Sequence, residues 1–191
     1  MKFCFQEIAR EAFKFLESEY SFECVESGSW HVRYESDTVF VSIHFEGMRS
    51  YELGCSIGRL DDMNGSRKVP FDVGEIFRCE IGSGEVPQSG FQVTSNDALK
   101  RASVSLAESL WRYGGKFLKG DNEAFRKVSG LRNRECNDYE IKNRIRYARD
   151  ATNEAWRSGN YYKVVELLSP IQEWLEPSEV KKLEYARKKT S

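Results

Sequence analysis

Two histidines and one glutamate are the residues whose types and spacing could support chemistry. His31 and His44 are the only histidines among the 191 residues, and both lie within 30–60, a stretch of alternating apolar and polar side chains. The hairpin register predicted below makes them diagonal neighbours on the polar face of a sheet, with Glu52 directly opposite His44. Such a set could bind a metal ion or form an acid–base pair. Histidines on the polar face of a sheet are more often solvent-exposed residues without a role in binding or catalysis. We therefore predict no metal ligand and no catalytic residue here.

Three strands must position these side chains. Apolar and polar residues alternate on two adjacent runs, which is the period-two pattern of a hairpin with one buried face. A two-residue turn at 36–37 pairs Tyr34 with Val39 and places both apolar sets on one face. A five-residue loop over 46–50 leads into a third strand, and an amphipathic helix predicted over 3–18 covers the apolar face. The inward residues predicted for the third strand are Tyr51, Leu53, Cys55 and Ile57.

The chain as a whole predicts an α+β fold, in which an antiparallel β-meander is covered by the N-terminal helix and followed by an all-helical region. We predict an α+β domain over 1–118 and a helical region over 119–191 packed on it, with one single domain as the alternative. Asp72 and Glu75 form a capping-box pattern that predicts a short helix over 73–79.

The helical region is predicted from its apolar spacing and its breaks. A long amphipathic helix stops at the Gly114-Gly115 pair, and Asp121 caps a short helix after it. The polar sequence GLRNREC predicts a break before a further helix over 138–158. Pro177 suits the first turn of a last helix.

Familiar catalytic motifs do not occur in this sequence. There is no GxSxG, no HExxH and no CxxC, and the glycine-rich segment 82–90 lacks the GK[ST] of a phosphate loop. The adjacent pair Asp61-Asp62 could hold Mg²⁺, although such a pair more often marks a turn. We therefore predict no cofactor and no enzymatic activity, and an enzyme of unrecognised type is kept as an alternative.

Charge is distributed unevenly along the chain. Residues 1–98 carry 9 Lys+Arg against 17 Asp+Glu, and residues 99–191 carry 20 against 13, so the formal net charge of −1 hides an acidic half and a basic half. The basic segment 126–149, which includes Arg144 and Arg146, could follow a phosphate backbone. A nucleic-acid-associated protein is thus a second alternative, although the two halves could also simply attract each other.

Targeting and redox signals predict a cytoplasmic protein. The N-terminal segment lacks the apolar run and cleavage site of a signal peptide, and no stretch is apolar enough to span a membrane. The five cysteines are odd in number and widely scattered, as expected in a reducing compartment.

Residues 30–125 carry a resemblance to a known class of proteins. The segment VRYESDTVFVSIHFEGMRSYELGCSIGRL, followed by WRYGGKFLKGDNEAF, resembles the immunity-type proteins of bacterial contact-dependent growth inhibition and related polymorphic toxin systems. The shared pattern is a meander containing RYES, an S-x-E-L strand and a helix ending in YGG. The resemblance implies a cytosolic binding protein that neutralises a cognate toxin, which in many such systems is a nuclease with a basic cleft.

An acidic surface would steer such a partner and occupy its cleft. The acidic half of the chain supplies carboxylates near the helix-to-strand junction and around the ends of the meander, together with aromatic residues that could act as anchors. The predicted partner-binding residues are Glu17, Glu19, Tyr20, Phe22, Glu23, Glu26, Glu35, Asp37, Glu46, Asp61 and Asp62.

Overall fold

A computed structural model describes residues 3–61 and 69–190 and confirms the α+β fold. The chain divides into two compact units, Met1–Leu131 and Arg132–Ser191. In the first unit the elements are α1 (Phe5–Ala12), α2 (Phe15–Tyr20), β1 (Glu23–Ser27), β2 (His31–Glu35), β3 (Val39–Glu46), β4 (Glu52–Arg59), β5 (Phe71–Asp72), α3 (Val73–Ile81), β6 (Phe91–Gln92), α4 (Asn96–Tyr113) and α5 (Gly115–Leu118). The long helix α6 (Asn122–Arg157) is followed by α7 (Tyr161–Leu168), a 3-10 helix (Ser169–Trp174) and α8 (Pro177–Thr190).

The predicted meander forms, but its first turn lies one residue later than predicted. Ser36 donates its backbone N–H to Val39 across 2.8 Å, so the two turn residues are 37 and 38. Tyr34 therefore pairs with Val41 instead of Val39. The Ser36 hydroxyl oxygen also lies 3.2 Å from the Val39 backbone nitrogen, which stabilises this placement of the turn.

The loop between β3 and β4 is likewise displaced by one residue. It occupies 47–51 because Glu46 ends β3 and pairs with Glu52. Each displacement moves the register by two residues, and a two-residue shift keeps every side chain on its predicted face. Leu53, Cys55 and Ile57 are accordingly buried as predicted, whereas Tyr51 belongs to the loop and is half-buried.

Two short strands not predicted from the sequence complete the sheet. The order is β1-β2-β3-β4-β5, and β6 also pairs with β4. Strand β5 pairs antiparallel with β4 at Ile57, and β6 pairs antiparallel with it at Leu53. Helix α3 follows β5 directly and has the predicted capping box between Asp72 and Glu75. It extends to Ile81, two residues beyond the predicted end.

The core of the first unit joins the apolar face of the sheet to helices α1, α3 and α4. The predicted helix over 3–18 is in fact two helices, because residues 13 and 14 lie outside regular helix between α1 and α2. Phe13 within this break and Leu16 just after it are both fully buried. Helix α4 ends at the Gly114 cap, as predicted.

Helix α6 corrects the predicted break at GLRNREC, since it runs without interruption for 36 residues. Asp121 caps it through the backbone N–H groups of Glu123 and Ala124. A single glycine inside a helix costs only about 1 kcal/mol, so Gly130 does not interrupt it. The polar residues around Gly130 are ordinary occupants of an exposed helix.

The second unit has its own small core around the α7–α8 hairpin. The rings of Trp156, Tyr161 and Tyr185 pack edge to face or tilted, with centroids 5.5–5.6 Å apart. Pro177 begins α8, as predicted. Across the described residues, no helix is long and apolar enough to cross a membrane.

Candidate functional site

A groove of about 630 Å³ lies between α1–α2 on one side and α4 on the other. We call it the α1/α4 groove. One wall consists of Glu7, Ile8, Glu11, Ala12, Phe15 and Glu19, and the other of Lys100, Val104, Ala107, Glu108 and Trp111. These positions recur every three or four residues on each wall, which is the spacing that brings side chains onto one face of a helix.

The helices of the two walls run parallel, with a constant offset in residue number between facing positions. At one end the backbone N–H of Cys4 donates to the side-chain oxygen of Asn96 across 2.9 Å. At the other end the indole N–H of Trp111 donates to a carboxylate oxygen of Glu19, also across 2.9 Å. Both hydrogen bonds join residues that are 92 positions apart. The helices therefore begin at the same end of the groove, and their C-terminal ends lie together near Trp111.

The apolar side chains of the two walls form the floor of the groove, and they are accessible to solvent. Val104 is 40% exposed and Trp111 is 51% exposed, although both are large hydrophobic residues. On the facing wall, Ile8 and Phe15 are half-buried and pack against the core with their inner sides. A large apolar surface left in contact with water is a feature of interaction sites.

The rim of the groove is acidic. The exposed side chains of Glu7, Glu11, Glu19 and Glu108 line the groove beside its apolar floor, and Lys100 is the one basic side chain among the lining residues. A groove with several carboxylates above an apolar floor attracts cationic groups and excludes anionic ones.

Two of the predicted partner-binding residues lie in or beside this groove. Glu19 lines it, and the Tyr20 ring packs edge to face on Phe15 with centroids 6.1 Å apart. Glu17 is exposed on α2 but is not among the lining residues. The prediction that Phe22 is an aromatic anchor for a partner is wrong, because Phe22 is only 3% exposed and belongs to the core.

Several other predicted carboxylates are engaged within the sheet. Glu26 lies 3.1 Å from Nδ1 of His31. Glu35 accepts a hydrogen bond from Arg33 across 2.6 Å, while the guanidinium of Arg33 lies over the Phe40 ring. The structure thus gives these side chains local partners on the polar face.

The remaining predicted carboxylates are spread around the ends of the strands. Glu23 is exposed and pairs across β1–β2 with Glu35. Asp37 is exposed in the first turn, and Asp61 accepts hydrogen bonds from Arg59. Asp62 lies outside the described residues, so the pair with Asp61 remains a prediction.

Glu46 supports the structure of the loop that follows it. Its carboxylate accepts backbone N–H groups from Met48, Arg49 and Ser50, the last two at 2.7 Å. The N–H donors of Ser50 and Arg49 hold the pKa of Glu46 below its ordinary value. This contact also explains the displaced loop, because Glu46 must end β3 for its side chain to reach these donors.

The histidine geometry differs from the prediction. His31 and His44 pair directly across β2–β3 instead of diagonally, and His44 lies opposite Gly54 instead of Glu52. Burial is the main cause that lowers the pKa of His44. His44 borders a polar cleft of about 340 Å³ with Glu52 and Asp72. Among the residues with described positions, no group of three or more His, Cys, Asp or Glu side chains could hold a metal ion.

The predicted nucleic-acid surface contains an arginine that is already engaged. Arg149 donates to both carboxylate oxygens of Glu179 and to the backbone oxygen of Trp174. Burial opposes ionisation of Glu179, yet the backbone N–H of Glu176 and the guanidinium of Arg149 hold the pKa of Glu179 below its ordinary value. Arg144 and Arg146 are exposed on α6.

Most of the groove was not predicted from the sequence. Val104 and Trp111 lie outside the apolar stripe that α4 buries in the core. Apolar residues at these two positions are the local sequence feature that indicates a second apolar face on α4. Glu7 and Glu11 are four residues apart, which predicts a common helix face but not what lies beside it.

Comparison of the chain with protein-family models, curated proteins and solved structures gave no match. What the groove could bind is therefore inferred from its own side chains.

Proposed function

We propose that this chain is a non-enzymatic, cytoplasmic binding protein that captures a basic protein partner in the α1/α4 groove. The observation that supports the proposal is the combination of an accessible apolar floor, including Val104 and Trp111, with a rim of four carboxylates and one lysine. The resemblance of residues 30–125 to immunity-type proteins suggests that the partner is a cognate toxin domain, in particular a nuclease.

The two features of the groove contribute different parts of such an interaction. Burial of aromatic and aliphatic side chains supplies most of the affinity of a protein interface and slows dissociation. Charge complementarity raises the association rate and rejects partners of the wrong sign. A nuclease domain has a basic surface because it binds phosphates, so it matches an acidic rim.

The test begins with the coding sequence next to that of this protein. The toxic domain expected there is purified as an inactive variant, and a neighbouring sequence that encodes no such domain would contradict the proposal. We expect direct binding at nanomolar affinity, with an association rate that falls as salt is added. Replacing Glu7 and Glu11 by Lys should lower the association rate about tenfold and flatten its dependence on salt. The matched control is Glu123→Lys together with Glu140→Lys, which changes the same number of exposed carboxylates outside the groove and should retain binding.

Two further outcomes would contradict the proposal. One is the absence of binding to the neighbouring domain at micromolar concentration. The other is tight binding to RNA or DNA that weakens steeply with salt and is lost when Arg144 and Arg146 are replaced by Glu. The second outcome would make the basic helices the functional surface and the protein a nucleic-acid-associated one.

A further inference from the structure

We propose that the α1/α4 groove binds an amphipathic α-helix of about three turns that carries apolar residues on one face and Lys or Arg on its flanks. This inference rests on the proposed function and names the partner element that the groove accommodates. It draws on the length of the groove, the backbone of its walls and the placement of its charges.

The length of the groove matches a short helix. From Lys100 to Trp111 the α4 wall advances eleven residues, which at 1.5 Å per residue is about 17 Å, or three helical turns. Val104 and Trp111 are seven residues apart, so they present two apolar contacts separated by two turns. A docked helix with apolar residues at i, i+3 or i+4, and i+7 repeats that spacing.

The backbone of the walls favours a helix over an extended strand. Both walls are helical, and the main-chain groups within a helix are already bonded to one another. An extended peptide binds by adding its own backbone to an exposed sheet edge, and the groove offers no such edge. The backbone N–H and C=O groups of a bound helix hydrogen-bond to one another, so they need no partners from the groove. The side chains of that helix can pack between the side-chain ridges of α1 and α4.

The charges favour a basic helix whose cations are concentrated near one end. Glu19 lies at the end where α2 and α4 both terminate, and the C-terminal end of a helix carries partial negative charge. Lys100 lies toward the opposite end, where α4 begins. Cationic residues of the partner are therefore best placed near Glu19 and Trp111, with fewer of them near Lys100.

The experiment uses a synthetic, end-capped peptide of about three turns, with leucine at i, i+3 and i+7 and lysine at the flanking positions. The chain contains four tryptophans, and each contributes one indole N–H signal to a ¹⁵N–¹H NMR spectrum. Only Trp111 lines the groove. We expect saturable binding that shifts the Trp111 signal and leaves those of Trp30, Trp156 and Trp174 in place.

Matched peptides and protein variants test each part of the inference. Replacing every lysine of the peptide by glutamate should abolish binding, and a central proline that breaks the helix should weaken it at least tenfold. In the protein, Glu11→Lys should weaken binding about tenfold and Glu123→Lys by less than twofold. The three other indole signals report in every variant whether the fold is retained.

The possible failures can be distinguished. Equal affinity for the proline peptide would show that the bound element is not helical. A peptide that leaves Trp111 unshifted at millimolar concentration would show that the groove is not a helix-binding site. If the neighbouring toxic domain still binds in either case, the proposed function stands and only the inference about the groove is wrong.

Discussion

Trp111 of α4 and Glu19 of α2 meet through a 2.9 Å hydrogen bond that closes one end of the α1/α4 groove. Both residues are exposed, so water can replace either partner and the bond contributes little to stability. We expect Trp111→Phe to change the free energy of unfolding by no more than about 1 kcal/mol, measured by urea denaturation. The same variant should weaken binding of the lysine peptide, because the ring no longer fills the end of the groove. A loss of several kcal/mol would instead make this contact part of the core.

The second prediction concerns Glu46 and the loop over 47–51. We expect Glu46→Gln to lower the free energy of unfolding at neutral pH, because an uncharged amide is a weaker acceptor for three backbone N–H groups. The depressed pKa of Glu46 means that its contribution is present above the ordinary glutamate pKa and is lost as pH falls through the lower folded-state value. Stability measured from pH 7 to pH 3 should therefore fall less steeply in Glu46→Gln. Glu52→Gln is the control, since Glu52 pairs with Glu46 but does not bind the loop.

The third prediction tests the contact between His44 and Gly54. A Cβ built on Gly54 would lie 2.5 Å from Nε2 of His44, so the imidazole must turn away in Gly54→Ala. We expect a loss of stability of at most about 1 kcal/mol, because His44 is only partly buried and its imidazole can move. In a His44→Ala background the same substitution should be neutral or stabilising, since alanine lowers the entropy of the unfolded chain. Thermal denaturation of the four proteins measures this coupling, and equal effects in both backgrounds would count against the contact.

The fourth prediction concerns Tyr34 of strand β2, whose side chain is fully buried in the core of the first unit. Burial, with smaller contributions from Cys24 and Glu17, raises the pKa of Tyr34 to about 12. Because the unfolded side chain ionises near pH 10, the stabilising contribution is complete below that pH and is lost as pH rises toward 12. The two-unit difference corresponds to about 2–3 kcal/mol.

Tyr34→Phe should accordingly lose less stability between pH 10 and pH 12 than the unsubstituted protein. Burial also raises the pKa of Cys55, so both proteins will weaken at alkaline pH. The difference between their urea midpoints isolates the tyrosine. Identical alkaline profiles would show that Tyr34 ionises as it does in water.

Side-chain alternation was a reliable guide to the faces of the sheet but not to its register. Two-residue register errors at both turns left Leu53 and Cys55 on the correct face, because strand side chains alternate with a period of two. The turns themselves depend on particular side-chain contacts. The carboxylate of Glu46 and the hydroxyl of Ser36 fix them, and hydrophobic periodicity carries no information about either.

Longer-range features were beyond the reach of local patterns. Strands β5 and β6 have only two residues each, too few for alternation to be recognised. The groove combines helices that are far apart in the sequence. The residues on each helix face could be predicted locally, but the packing of the two helices side by side could not. Phe22 illustrates the same limit, because an aromatic residue beside acidic neighbours looked like a surface anchor and is in fact core.

The separation of 92 residues between the two walls has a consequence for synthesis of the protein. A ribosome makes the α1–α2 wall first, and the strands and α3 must follow before α4 can complete the groove. Contacts at such sequence distances form late, because a long loop must close before they stabilise anything. A nascent chain thus lacks the complete α1/α4 groove until Trp111 has emerged. A partner that binds only the completed groove selects finished molecules and, by mass action, stabilises them against unfolding.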